Sequence, residues 1–199
     1  FLEEDLEISD KSFDFIEKYS NILSPGKIMH LSLFTPIKNK YSYLTRLMFC
    51  WGWYTNFDCW NYFIKDIKMS YPIKSIDYPF SKFFSSTYIN NQNKKINSWA
   101  ISWYVSIFEN NGYCLNPPAN LVLNNGFDEL ATHTKTSSSL LLPKMYSYDA
   151  KIDKFPNLLK EDIKNRYRIG LYFFIRTNIL TRIVSKIIYI INNLIDEKS

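Results

Sequence analysis

The sequence predicts an α/β domain, on two observations. Short apolar runs of strand character, at 1–8, 28–34 and 121–123, alternate with stretches whose apolar residues recur at helical spacing. The 199 residues are 46% hydrophobic and 18% aromatic, enough to bury a real core and too apolar for a disordered chain.

The elements follow in chain order. Phe1 to Ile8 reads as a buried central strand that runs out into carboxylates at Glu3, Glu4 and Asp5. A helix comes next, capped by Ser9 or Asp10, with Phe13, Phe15, Ile16 and Tyr19 as its apolar stripe. The second strand is Ile28 to Phe34, stopped before Pro36. A polar turn at Lys38 to Lys40 leads into extended, aromatic-rich chain from Tyr41 to Trp53. Thr55 and Asp58 resemble a capping box, with Asp in place of Glu, for a helix carrying Phe57, Trp60, Phe63, Ile64 and Ile67 on one face. Pro72 and Pro79 mark irregular chain. Another helix begins near Asn97 and Ser98, sets Trp99, Trp103, Tyr104 and Ile107 to one side, and stops at Gly112. Pro117-Pro118 leads into the strand at Leu121 to Leu123, Asn125-Gly126 signals a turn, and Lys135 to Ser139 reads as a loop. From Ile169 to Ile195 a broad apolar face (Leu171, Phe174, Ile175, Ile179, Ile183 and onward) opposes a narrow strip of Arg176, Arg182, Lys186 and Asn193. That pattern is an amphipathic helix or helix pair, lying on an anionic membrane surface or packed against protein.

Charge and cysteine usage narrow the function classes. A net charge of +5 is mild; it suits anionic substrates or an anionic membrane surface and, without a nucleic-acid-binding motif, argues against a nucleic-acid partner. Cys50, Cys59 and Cys114 form no CxxC pair, which predicts reduced thiols in a cytoplasmic protein. No apolar run reaches a membrane span. The chain starts without Met inside an expected core strand, so a longer parent protein is expected.

Four segments carry candidate chemistry. The carboxylates Glu3, Glu4 and Asp5 suit Mg²⁺ or Mn²⁺, which bind through one or two protein carboxylates plus substrate phosphates; a solvated acidic turn is the alternative. Cys50-Trp51-Gly52-Trp53 puts two flat apolar faces beside a backbone that a ligand can approach, the pattern of a sugar platform, although ordinary core tryptophans read the same. The helix start at Asn97-Ser98-Trp99 can face an anion or carry a base, or simply cap. Asn124 to Thr134, which includes Asp128, Glu129 and His133, follows a strand and can bind phosphate or metal.

The order of these segments resembles bacterial glycosyltransferases of the GT-A type, close to the family 2-like sugar transferases. Those proteins carry an LEDD-type strand, a WGWATW segment, an aromatic helix and a closing NLVxNIGF…ATHT segment. The corresponding stretches here are Leu2-Glu3-Glu4-Asp5, Trp51-Gly52-Trp53-Tyr54-Thr55, Ser98 to Trp103, and Asn120 to Thr134, so the resemblance covers about residues 1–135. It implies the C-terminal part of a Rossmann-like GT-A fold over 1–140, with a loop and α-helical tail over 141–199, and nucleotide-binding strands preceding Phe1. It implies transfer of a sugar from a nucleotide-diphosphate donor to a glycan or lipid-linked hydroxyl acceptor, in bacterial polysaccharide biosynthesis. Asp5 becomes the expected metal contact for Mn²⁺ or Mg²⁺, with Glu3 and Glu4 beside the donor. Trp51, Gly52, Trp53 and Trp99 would shape the sugar and acceptor pocket, and His133 would close over the diphosphate or the metal. The stretch from Lys160 onward falls outside the resemblance; its amphipathic pattern and the cysteine usage together suggest a cytoplasmic protein, with peripheral contact at the inner membrane face or packing on protein as the two readings of the C-terminal helix.

One position departs from the family. Members carry Asp before the aromatic helix, where this chain has Asn97 in Ile96-Asn97-Ser98-Trp99. An amide cannot act as the carboxylate base of an inverting transfer, which leaves Asp128 and Glu129 as candidates. A non-catalytic carbohydrate-binding or assembly module with a degenerate GT-A fold is the alternative function.

Overall fold

The computed structural model describes residues 2–125 and 145–177. They form a mixed α/β arrangement with two small sheets. In order, the elements are β1 (Leu6–Ile8), α1 (Lys11–Tyr19), β2 (Ile28–Ser32), β3 (Tyr43–Thr45), β4 (Trp53–Tyr54), α2 (Phe57–Trp60), α3 (Phe83–Gln92), α4 (Trp99–Glu109), β5 (Tyr113–Asn116), β6 (Val122–Asn124) and α5 (Ile163–Thr177). Short 3₁₀ turns lie at Ser20–Ile22 and Ile73–Ile76.

The larger sheet runs β3-β5-β2-β4. Strand β2 is its spine. It pairs parallel with β5 and antiparallel with β4, and all five of its residues are buried. A strand buried on both faces needs no alternation, which is why Ile28-Met29-His30-Leu31 reads as a nearly continuous apolar run. Helix α4 is buried almost all round, from Ile101 to Phe108, and is the central helix of the fold. Ser98 caps it, its Oγ accepting from the Ile101 amide. Its C-terminus closes as a Schellman turn: the Asn111 amide donates to Phe108 and the Gly112 amide to Ile107. The left-handed residue is Asn111, at φ 54°, not the expected Gly112. Gly112 serves proximity instead, because a Cβ there would fall 2.5 Å from the Met29 sulfur.

The opening segment differs from expectation. The strand is three residues, Leu6–Ile8, and it follows the carboxylates instead of leading to them. It pairs antiparallel with β6 in a separate two-stranded sheet, so it is not a central strand. In α1, Phe15 and Tyr19 are buried, but Phe13 is 62% exposed and does not belong to the stripe. The expected capping box at Thr55 and Asp58 is not formed. Asn56 caps α2, its side-chain oxygen accepting from the Cys59 amide at 2.9 Å, while the Thr55 hydroxyl donates to the Met29 carbonyl. That helix ends at Trp60, and Phe63, Ile64 and Ile67 lie in irregular chain around a turn at 65–66. Extended chain between Tyr41 and Trp53 is confined to β3 and β4.

The segment 145–177 joins the same core through Tyr148 and Ile169. A buried carboxylate clips it in place. Asp153 accepts from the Ser42 amide (2.7 Å) and hydroxyl (2.6 Å) and from the hydroxyls of Tyr19 and Tyr148, both at 3.0 Å. The expected apolar stretch beyond Thr177 lies outside the described residues. Among the described residues no helix is long and apolar enough to cross a membrane.

Candidate functional site

The acidic residues Glu3, Glu4 and Asp5 form the turn that feeds β1, closed by the Leu6 amide on the Glu3 carbonyl at 3.2 Å. Pairing of β1 with β6 brings the chain after β6 alongside, and the Asn125 amide donates to the Asp5 carbonyl at 2.8 Å. Glu3 and Glu4 are exposed and Asp5 is half-buried. One oxygen of Asp5, Oδ1, is buried with no hydrogen-bond partner. Such an atom carries a full desolvation cost unless something outside the chain satisfies it. Partial burial, then the neighbouring charges of Asp5 and Glu4, hold the Glu3 carboxyl above its ordinary range. The turn therefore concentrates negative charge.

The Trp51-Gly52-Trp53 segment sits between this turn and α4. Burial, and then the charges of Glu3 and Asp5, push the Cys50 thiol up to about 12, which keeps it protonated. Gly52 lies at φ +61°, and a Cβ on it would meet Leu33 at 3.2 Å and Leu2 at 3.6 Å. Only glycine lets this backbone turn left-handed while lying against the residue that precedes the acids. Trp51 meets the Phe34 ring edge-on at 4.7 Å. Trp53 points to the other side and is 2% exposed. It stacks on His30 at 5.2 Å and on Trp99 at 5.4 Å, and tilts against Trp60 and Trp103. Trp99 keeps 37% of its surface exposed.

His30 is the residue that sequence reasoning missed. It is fully buried in β2, and burial pushes its pKa down to about 3, so the ring is neutral. The Trp103 indole N–H donates to Nδ1 at 3.3 Å, which leaves the proton on Nε2, 3.1 Å from the Phe49 carbonyl. That network assigns the tautomer. His30 thus fixes the ring on which Trp53 rests. Its one signal in the sequence is a polar aromatic within the apolar run of β2.

The structure thus brings Leu2, the residue before the acids, against Gly52, and Trp53 together with Trp99. Asn97 is exposed on the loop before α4, and the cap it was expected to share belongs to Ser98 alone. Asp128, Glu129 and His133 lie outside the described residues. No three His, Cys, Asp or Glu side chains among the described residues converge as a self-sufficient metal cage. The donor set instead fits an oxygen-seeking cation that takes the rest of its shell from phosphate oxygens and water. Comparison with protein-family models, with curated proteins and with solved structures finds no match.

Proposed function

We propose that the protein is a GT-A-type glycosyltransferase, moving a sugar from a nucleotide-diphosphate donor to a hydroxyl acceptor. The observation that carries this reading is the unpartnered Asp5 Oδ1 beside Glu3, at a turn that abuts a glycine-tryptophan segment. Asp5, with Glu3 and Glu4 nearby, would hold Mn²⁺ or Mg²⁺. Such a cation, when bound, supplies Lewis-acid neutralisation of the diphosphate that leaves as the glycosidic bond breaks.

The chain's own residues bind and orient. Gly52 keeps the backbone low beside the acidic turn. His30 and Trp103 hold Trp53, and Trp53 backs Trp99, whose exposed ring offers a flat face to the C–H side of a sugar. Holding donor and acceptor in register supplies a large part of the rate in a two-substrate reaction. An inverting transfer also needs a base for the acceptor proton, and Asp128 and Glu129 are the candidates.

The exposed amide Asn97 favours a second reading, a carbohydrate-binding or assembly module without turnover. One experiment separates the two. The intact protein is offered a panel of nucleotide sugars with and without Mn²⁺, and both donor binding and release of nucleoside diphosphate are followed. Metal-dependent release stimulated by an acceptor supports the transferase. Carbohydrate binding without release supports the module. Absence of any metal-dependent donor binding contradicts the transferase.

A further inference from the structure

Among the described residues, helix α5 seats one apolar face in the core and leaves a second exposed. The inward face seats Ile169 in the core, and Phe173 stacks on Phe49, Tyr78 and Phe83. Gly170 packs against the Pro79 backbone so closely that no side chain fits. The outward face carries Ile163, Tyr167 and Leu171 at successive four-residue steps, and these stay 57%, 53% and 50% exposed. Phe80, at 64% exposure, extends the strip sideways through its edge contact with Tyr167. A run of large apolar side chains on one line is not explained by the protein's own core.

The exposed charges beside this strip are lysines. Glu161 turns inward, bound to Arg166 and to the Arg46 amide. Asp162 is half-buried and keeps its charge while accepting from the Asn165 amide and side chain. Lys160 and Lys164 are exposed beside the strip, and Lys82 is exposed two residues after Phe80. The net outward charge is therefore positive and the outward apolar surface is linear.

We propose that the outward face of α5, with Phe80, docks on an anionic lipid surface, the apolar strip entering the acyl boundary and Lys82, Lys160 and Lys164 meeting the headgroups. Apolar insertion flanked by lysines is the pattern of an interfacial helix. The proposal is independent of the sugar-transfer reading. The test is flotation of the full chain with vesicles of phosphatidylcholine alone or with about 30% phosphatidylglycerol added, run alongside a molar-mass measurement. The expected result is binding to the anionic vesicles at least about tenfold stronger than to the neutral ones. Ile163→Gln with Leu171→Gln should reduce it by about tenfold or more, and Lys160→Glu with Lys164→Glu should do the same and flatten the dependence on anionic lipid. Both double variants should unfold at the wild-type temperature, because the altered side chains are exposed. Three results would overturn the proposal: no preference for anionic vesicles, unchanged binding by the variants, or a wild-type dimer that the Ile163→Gln, Leu171→Gln variant dissociates. A marked loss of thermal stability in that variant would also overturn it, by placing the strip inside the protein.

Discussion

Asp153 and Asp5 are both carboxylates withdrawn from water, and they have opposite fates. Asp153 is saturated: one oxygen takes the Ser42 amide, and the other takes three hydroxyls. Asp5 has an oxygen that is just as hidden and takes nothing. A buried carboxylate that its own chain satisfies is a structural clip. A buried carboxylate oxygen left unsatisfied, with like charges beside it, is a cost to folding that a cation would remove. On the proposed function the two residues do different work: Asp153 holds segment 145–177 onto the domain, and the unpartnered oxygen of Asp5 is kept for a cation.

The first way to break this comparison is to remove the saturated partner. Asp153→Ala strands two tyrosine hydroxyls, a serine hydroxyl and an amide, and should cost at least about 6 kcal/mol, since each of these hydrogen bonds to a charged group contributes roughly 1.5–3 kcal/mol. Urea unfolding of wild type and variant measures it. A loss below about 1 kcal/mol would mean that the clip is not what anchors the segment. The second is Trp53→Ala, which removes the ring shared by His30, Trp60, Trp99 and Trp103 and should cost about 3–4 kcal/mol. The same unfolding experiment checks it, and Trp99 fluorescence should shift as its backing ring disappears.

The third concerns pH and sharpens the contrast between the two ends of the site. Burial lowers the His30 pKa to about 3 in the folded protein, below its ordinary 6.5. The unfolded chain therefore binds a proton that the folded chain refuses. The stability contribution is complete above pH 6.5 and is lost as pH falls through that value toward about 3. In that window the unfolding constant should rise by about tenfold for each pH unit lost, and His30→Gln should remove that slope. Parallel pH profiles for the two proteins would refute the buried neutral imidazole.

What could be read in the sequence follows from where the signal is local. Strand β2 and helix α4 were legible because Ile28-Met29-His30-Leu31 and Trp99 to Phe108 carry dense apolar patterns. Strand β5 was not. Tyr113-Cys114-Leu115-Asn116 is four residues pressed between Gly112 and Pro117, and its strand character comes from pairing with β2 and β3, distant in sequence. Helix α3 is not legible because Phe83 to Gln92 has no apolar period; Phe84, Ser85 and Tyr88 turn inward, while Phe83 and Ile89 stay exposed. At the site, the acidic group and the tryptophans were legible as motifs, and the joining of Leu2 to Gly52 and of Trp53 to Trp99 follows from the tertiary fold. The position of the acids ahead of β1 was not legible, because only the register with Val122–Asn124 decides which of the first eight residues pair. His30 was passed over because a histidine's partners, here Trp103 and Phe49, come from elsewhere in the chain.

The smallest expected effect on stability is the most informative. Asp5→Asn removes a charge that costs the fold and should not lower stability, with any gain about 1 kcal/mol or less because Asp5 is only half-buried. The direct measurement is free Mn²⁺ by electron paramagnetic resonance in the presence of a nucleoside diphosphate, for the intact protein and its Asp5→Asn variant. The reserved oxygen predicts nucleotide-dependent Mn²⁺ uptake by the wild type, and uptake at least about tenfold weaker in the variant, because one of few protein oxygens is lost. Equal Mn²⁺ uptake by the two proteins would contradict it.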